Sequence, residues 1–165
     1  MAKFEAHWPL GTKQRLAYDV LLWTGLRRSD AAGLGPKHIQ DGVLTITTEK
    51  TNHTVTMPVM APLAASIAAT PRDSDAATFF ARNDRDSFGH WFKTACIAAG
   101  VPGRAHGLRK ALAVKLAESG ASPLEIGAIL GNDMGAFYAR KASRGKLAAA
   151  AFARIGLPHL PERDS

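Results

Sequence analysis

The chain has 165 residues, 46% of them hydrophobic and 21% charged, which is typical of one globular domain that buries roughly 70% of the surface exposed on unfolding. Its one cysteine, Cys96, excludes an internal disulfide, and no apolar run approaches the ~20 residues of a membrane helix, so membrane-spanning and secreted classes are disfavoured and a reducing cytoplasm is expected. Lys and Arg number 21 against 14 acidic residues, and the resulting charge of +7 favours polyanionic partners, with nucleic acid first.

The first half of the chain predicts two helices followed by a β-hairpin. Apolar residues recur at helical spacing over residues 12–23, up to a Thr-Gly pair. A second, short helix is predicted next, with Ser29 and Asp30 capping its first amides. Residues 43–50 and 54–59 are rich in Val, Ile and Thr and flank three turn-forming residues. Such runs predict an antiparallel hairpin.

The second half of the chain predicts mostly helix. Residues 62–69 form a weak Ala-rich helix, and the polar stretch 70–84 is predicted to be a surface loop. The further predicted helices are 88–99, with one aromatic face, 106–119, 122–130, opened by a capping box, and 136–155, which is Ala-rich and basic. We therefore expect a mainly α-helical fold with a small antiparallel β-hairpin or sheet.

Three short strings place charged or titratable side chains beside helix breaks, where side chains often converge on a ligand. They are TGLRRSD at 24–30, HGLR at 106–109 and FYARK at 137–141. In HGLR, His106 and Arg109 are expected on one side of a helix, roughly opposite its leucine stripe. There the guanidinium could bind a phosphate bidentately and the imidazole could exchange a proton. The alternative is a solvated pair on an exposed helix face.

Taken singly, the other candidates have simpler interpretations. Arg27 and Arg28 could form a solvated helix start, and Lys50 at the predicted hairpin tip could serve solubility alone. Tyr18 is predicted to be structural, within the first helix. Tyr138 differs, because it follows a glycine break among basic residues, a setting that lowers a phenol's pKa from about 10.

The inventory of residues favours no metal and no nucleotide cofactor. None of the six histidines forms a pair at metal-ligand spacing, and the chain has no CxxC motif, so zinc is disfavoured. No glycine-rich nucleotide motif follows a predicted strand. Cys96 lies within the aromatic helix and is predicted to be an inert, buried thiol.

In this order, the strings resemble the catalytic domain of the tyrosine recombinases, the phage-integrase family, and its prophage-type integrases in particular. TGLRRSD resembles the first arginine box, which maps onto Arg27. EKTNHTVTMPV resembles the hairpin with the catalytic lysine, Lys50. HGLRK resembles the HxxR box, His106 and Arg109, and the final tyrosine maps onto Tyr138. The tyrosine-recombinase catalytic-domain fold is the implied fold.

The resemblance implies a site-specific recombinase, or integrase, that cleaves and rejoins double-stranded DNA through a 3′-phosphotyrosine intermediate without metal or cofactor. It also implies a bacterial or phage-encoded, nucleoid-associated cytoplasmic protein. Residues 1–165 would be a single catalytic domain, with the family's N-terminal core-binding domain absent. Residues 143–165 would self-associate on DNA or, alternatively, pack on their own domain.

Two positions depart from the family pattern. Asn132 stands where the family has His or Trp, and an amide donates a hydrogen bond but cannot act as an acid or base. The nucleophile usually lies about nine residues further on, whereas Tyr138 lies six further on. Two interpretations stay open: an active recombinase with a shortened connector, and an integrase remnant that only binds DNA. A third, a helical regulator using residues 122–132 as part of a helix-turn-helix, leaves the arginines and Lys50 unexplained.

Overall fold

The computed structural model describes residues 1–72, 75–80 and 85–131, except for the side chains of Arg85 and Asp86. Within these residues the chain forms seven α-helices and one antiparallel sheet with strand order β1-β2-β3. The helices are α1 (Ala2–His7), α2 (Lys13–Thr24), α3 (Arg28–Ala32), α4 (Ala61–Ala69), α5 (Arg85–Ala98), α6 (Ala105–Glu118) and α7 (Pro123–Leu130). The strands are β1 (Ile39–Gln40), β2 (Val43–Thr47) and β3 (Thr54–Pro58), with a 3₁₀ helix at Pro36–His38. The predicted fold class is confirmed.

Local signals placed most helix ends correctly. The Thr12 hydroxyl accepts a hydrogen bond from the Arg15 amide at 3.2 Å and begins α2, and Gly25, with φ of 62°, ends it in the left-handed region. At the start of α7, the Ser122 hydroxyl accepts from the Glu125 amide at 3.2 Å, and the Glu125 carboxylate accepts from the Ser122 amide at 2.5 Å. This is the predicted capping box. The predicted helix at 136–155 lies outside the described residues.

The sheet has one buried face and one exposed face, because side chains alternate along each strand. β2 and β3 pair with Val43 opposite Pro58 and Thr47 opposite Thr54, which confirms the predicted hairpin. The buried face consists of Leu44, Ile46, Val55 and Met57. The exposed face carries Thr45, Thr47, Thr54 and Thr56. Strand β1 was not predicted, since two residues are too few for a readable alternation.

The predicted caps of α3 are wrong. Arg27 is the N-cap residue and makes no side-chain cap bond, so Ser29 and Asp30 lie inside the first turn. The Asp30 carboxylate instead accepts a hydrogen bond from the backbone amide of Glu49 at 3.0 Å. A tertiary contact across 19 residues thus replaces the local cap.

Two segments that bury aromatic side chains were not predicted from the sequence. The polar stretch before α5 was predicted as a surface loop, but it buries Phe79 and Phe80, and the Phe79 amide donates to the Leu34 carbonyl at 2.9 Å. Helix α1, also not predicted, buries Phe4 with its ring stacked 5.0 Å from the Tyr18 ring. Each segment adds apolar area to the core, which outweighs the polar composition of the neighbouring residues.

Helix α2 lies at the centre of the fold and packs against α4 and α6. The main core surrounds it and includes the buried face of the sheet and the aromatic face of α5. Helices α6 and α7 share a second, smaller cluster consisting of Leu112, Ala113, Ala117, Ile126 and Leu130. In the part of the chain that the structure describes, no helix has the length and apolar character needed to cross a membrane.

Candidate functional site

Arg109 is a buried arginine of α6, with 5% of its surface exposed. Its Nη1 donates to the Gly25 carbonyl, and its Nη2 donates to the Leu130 carbonyl at 2.7 Å. Arg109 shares a face of α6 with Leu112, one turn further on. The prediction that it lies opposite the leucine stripe is therefore wrong, as is the alternative of a solvated arginine. The guanidinium ties the end of α2 to the end of α7.

Gly25 makes this close approach of three helices possible. Its φ of 62° lies in the left-handed region that favours glycine. A Cβ at this position would lie 2.7 Å from a Leu130 methyl carbon and 2.9 Å from a Leu112 methyl carbon, closer than real side chains come. The glycine therefore lets α6 and α7 pack over the end of α2 while its carbonyl accepts from Arg109.

Arg27 is half-buried at the start of α3, two residues after Gly25. Its Nη1 donates to the Thr51 hydroxyl at 3.5 Å, and the same hydroxyl lies 3.5 Å from the Gly131 carbonyl oxygen. Arg27 and Arg109 thus both reach the end of α7, one through Thr51 and the other directly at Leu130. The interpretation of Arg27 as only a solvated helix start is wrong.

The side chain of Arg28 packs against α5 and not toward the hairpin. It is exposed and crosses Gly89 of α5, where any added Cβ would collide with the guanidinium. The two neighbouring arginines therefore diverge, and only Arg27 is directed toward the hairpin. This geometry favours Arg27 over Arg28 as the member of the site, in agreement with the sequence mapping.

Lys50 is exposed in the loop between β2 and β3, as predicted. The residues on either side of Lys50 make hydrogen bonds to other parts of the chain. The Glu49 amide donates to Asp30 at 3.0 Å, and the Thr51 hydroxyl contacts Arg27. Asp30 is 3% exposed, and its second carboxylate oxygen has no hydrogen-bond partner among the described residues. Lys50 thus directly precedes a residue, Thr51, whose hydroxyl contacts Arg27.

His106 is exposed in the first turn of α6, three residues before the buried Arg109. The structure therefore brings Arg27, the Lys50 loop and Arg109 to the end of α7, and places His106 one helical turn from Arg109. Two guanidinium groups, those of Arg27 and Arg109, therefore contact residues at or beside the end of α7, and paired guanidinium groups suit a phosphate ligand. Asn132 and Tyr138 lie outside the described residues.

Two other predictions about reactive side chains are confirmed. Tyr18 is buried and donates its hydroxyl to Glu5 at 2.8 Å. Its burial, this hydrogen bond and the negative charges of Glu5 and Asp19 raise the pKa of Tyr18 above the ordinary value for tyrosine. Cys96 is buried, and burial raises the pKa of its thiol. Neither group has the properties of an activated nucleophile.

Sequence reasoning missed Thr51 and the role of Asp30. Both act through contacts between residues far apart in the chain, such as the 80 residues between Thr51 and Gly131, and no periodic pattern encodes such a pairing. The one available signal was the position of Thr51 directly after Lys50. No cluster of His, Cys, Asp or Glu suited to a metal ion occurs in the ranges 1–72, 75–80 and 85–131.

A family model described as the phage integrase family matches residues 1–135. No curated protein matches the chain. Among solved structures, a lambda integrase dimer bound to a COC′ core site is similar with a TM-score of 0.67 and 18% identity, covering 86% of this chain and 57% of that one. XerA recombinase is similar with a TM-score of 0.71 and 15% identity, covering 96% and 62%.

The integrase of mycobacterium phage Brujita is a third similar structure, with a TM-score of 0.63 and 20% identity, covering 90% of this chain and 53% of that one. The chain thus spans between about half and two thirds of the length of these three proteins. At these identities the likeness concerns the fold, and that fold is the catalytic domain of tyrosine recombinases.

Proposed function

Because the chain belongs to the phage integrase family, we propose that it cleaves and rejoins DNA through a 3′-phosphotyrosine intermediate. The observation that carries the proposal is the meeting of Arg27 and Arg109 at the end of α7. Arg27 reaches Gly131 through Thr51, and Arg109 binds Leu130 directly. Two guanidinium groups from separate elements at one place suit the binding of a phosphodiester.

In the proposed reaction, the Tyr138 oxygen attacks the phosphorus of a backbone phosphodiester in line. The bond from phosphorus to the 5′ oxygen breaks as the bond to the tyrosine forms, so the phosphate stays linked to the protein. Negative charge grows on the non-bridging oxygens in the transition state. Arg27 and Arg109 would stabilise that charge from fixed positions. The buried backbone contacts of Arg109 support such preorganisation.

Two proton transfers complete this step. The tyrosine hydroxyl loses its proton as it attacks, and His106 would accept that proton or hydrogen-bond the phosphate. The 5′ oxygen leaves as an alcohol, with a proton donated by the ammonium of Lys50. Asn132 would donate a hydrogen bond to a phosphate oxygen. Attack by a 5′ hydroxyl on the phosphotyrosine reverses these transfers and rejoins the DNA, so no metal or nucleotide is needed.

A second candidate function is DNA binding without cleavage, by a catalytically impaired integrase. Asn132 in place of an imidazole or indole, and the short connector from Asn132 to Tyr138, favour it. Both candidates bind duplex DNA with a steep dependence on salt, so binding measurements do not separate them. Covalent chemistry does.

The deciding experiment incubates the protein with a pool of nicked, partly randomised DNA duplexes. Cleavage beside the nick releases a short fragment, which removes the hydroxyl needed for rejoining and traps the protein on the DNA. The proposal predicts a covalent adduct that resists SDS, and sequencing the trapped duplexes would reveal the preferred site. Retained duplex binding with no adduct would contradict the proposal and favour the DNA-binding candidate.

We also propose duplex DNA as the partner and self-association on DNA through residues 143–165. Similar structures include an integrase dimer and an integrase tetramer on DNA, and the charge of +7 favours a polyanion. The solution mass of the DNA complex, with and without residues 143–165, tests the self-association. Loss of the multimer on truncation is expected, and an unchanged number of protomers in the complex would contradict self-association through this segment.

A further inference from the structure

Thr51 connects three parts of the candidate site. Its hydroxyl accepts a hydrogen bond from Arg27 Nη1 at 3.5 Å and lies 3.5 Å from the Gly131 carbonyl oxygen. It also lies 2.9 Å from the hydroxyl of Thr48, at the other end of the same turn. One half-buried hydroxyl therefore links the β2–β3 loop, the start of α3 and the end of α7.

The contacts on the two sides of Lys50 differ in kind. On one side, the Glu49 backbone amide donates to the buried Asp30 carboxylate at 3.0 Å. On the other side, the loop is held by the side chain of Thr51. The turn is closed by the Thr48 amide, which donates to the His53 carbonyl at 2.9 Å. Lys50 is thus the exposed residue between two fixed points.

We propose that Thr51 is a positioning residue for Lys50: its hydroxyl fixes the loop relative to Arg27 and the end of α7, so that the lysine ammonium reaches the departing 5′ oxygen. The inference rests on the proposed function, since it assigns Lys50 to leaving-group protonation. A displacement of about 1 Å at a reacting group can reduce a rate by about 10²-fold. Loss of two or three hydrogen bonds at Thr51 would permit such a displacement.

The chemistry of the leaving group separates this role from a general effect on the site. With an oxygen leaving group, cleavage needs a proton from Lys50, because an alkoxide is a poor leaving group. With sulfur in place of the bridging 5′ oxygen, the departing group is a thiolate, and thiols are far stronger acids than alcohols; the cysteine thiol, for comparison, has a pKa near 8.5. A thiolate leaves without that proton. A defect confined to Lys50 therefore disappears with the sulfur substrate, whereas a defect in phosphate binding by Arg27 persists.

The test compares Thr51→Val, Thr51→Ser and Lys50→Ala on matched nicked duplexes with oxygen or sulfur at the scissile 5′ position. Thr51→Val keeps the shape and removes the hydroxyl, and we expect it to slow oxygen cleavage by about tenfold or more. With the sulfur duplex, the rates of Thr51→Val and Lys50→Ala should return to within about threefold of the unaltered protein. Thr51→Ser restores the hydroxyl and should restore oxygen cleavage.

Thr47→Val is the matched control, because it removes a threonine hydroxyl from the same hairpin on the exposed face, where Thr47 pairs with Thr54 at 3.0 Å. It should leave both rates within about twofold of the unaltered protein. An equal defect of Thr51→Val on the two substrates would overturn the proposal, and so would unimpaired oxygen cleavage by that variant.

Hydrogen exchange provides a readout that does not depend on cleavage. Amides of residues 48–53 should exchange faster in Thr51→Val than in the unaltered protein and in Thr47→Val. If the unaltered protein forms no adduct, the proposed function fails, whereas the tether at Thr51 is still decided by the exchange rates. Unchanged exchange in Thr51→Val would overturn the inference whatever the activity.

Discussion

Replacing Tyr138 with phenylalanine is expected to abolish the covalent protein–DNA adduct, whereas replacing Tyr18 leaves it. The chain contains two tyrosines, so Tyr18→Phe is a matched control. The Tyr18 hydroxyl is engaged by Glu5, and burial raises the pKa of Tyr18. It is therefore neither accessible nor readily ionised. Tyr138 is the remaining phenol of the chain, and its basic neighbours in sequence favour the phenolate.

The measurement is adduct yield on the nicked duplex pool, resolved under denaturing conditions. Tyr138→Phe should give no adduct above background and should bind duplex DNA with the affinity of the unaltered protein, since only one hydroxyl is lost. Tyr18→Phe should give the normal yield with a modest loss of stability, about 1 kcal/mol, because one partly buried hydrogen bond disappears. Undiminished adduct from Tyr138→Phe would remove this tyrosine from the mechanism.

Arg109→Ala is expected to lower the cleavage rate by about 10²–10³-fold and also to destabilise the fold. The rate falls because one of two fixed cationic donors to the phosphoryl oxygens is lost, and removal of a single such donor typically costs 10²–10³-fold. The fold weakens because the Gly25 and Leu130 carbonyls lose their buried donor. Two such losses amount to about 2–4 kcal/mol, or a fall in Tm of roughly 5–15 °C.

Arg27→Ala is the comparison that separates these two effects. Arg27 is half-buried, and its side-chain hydrogen bond to Thr51 is long, at 3.5 Å, so removal of the side chain should cost less than about 1 kcal/mol of stability. Its cleavage rate should nevertheless fall by a similar 10²–10³-fold. Cleavage rates and Tm are measured on the same preparations. The rate assays are run at a temperature well below the lower of the two Tm values. A loss confined to duplex binding, with normal cleavage of bound DNA, would contradict the role of both arginines.

The elements of this fold that could be predicted are those encoded by neighbouring residues. Helix α2 was readable from its apolar spacing and its terminal glycine, and α7 from Ser122 and Glu125, because caps and periodicity act within one or two turns. The β2–β3 hairpin followed from two β-branched runs around a short turn. Helix α1 was not predicted, since only its tertiary contacts, such as Phe4 against Tyr18, stabilise six residues.

The residues of the candidate site could be selected from the sequence, but the contacts between them could not be predicted from it. Order and spacing selected Arg27, Lys50 and Arg109, and the structure brings their elements together. The burial of Arg109 was predicted wrongly. Its partner at Gly25 is 84 residues away in the chain, and the helical spacing of residues does not reveal whether other elements pack over a polar face. The same holds for Asp30, which is predicted as a cap from local pattern and instead holds Glu49.

The central claim, covalent cleavage by Tyr138, is tested most directly by the chemical identity of the trapped adduct. After nuclease and protease digestion of the adduct formed with a nicked duplex, mass spectrometry locates the nucleotide on the protein. We predict a nucleotide joined through its 3′ phosphate to the peptide that contains Tyr138. A nucleotide attached to any other residue, or the absence of an adduct from protein that binds the duplex, would contradict the account.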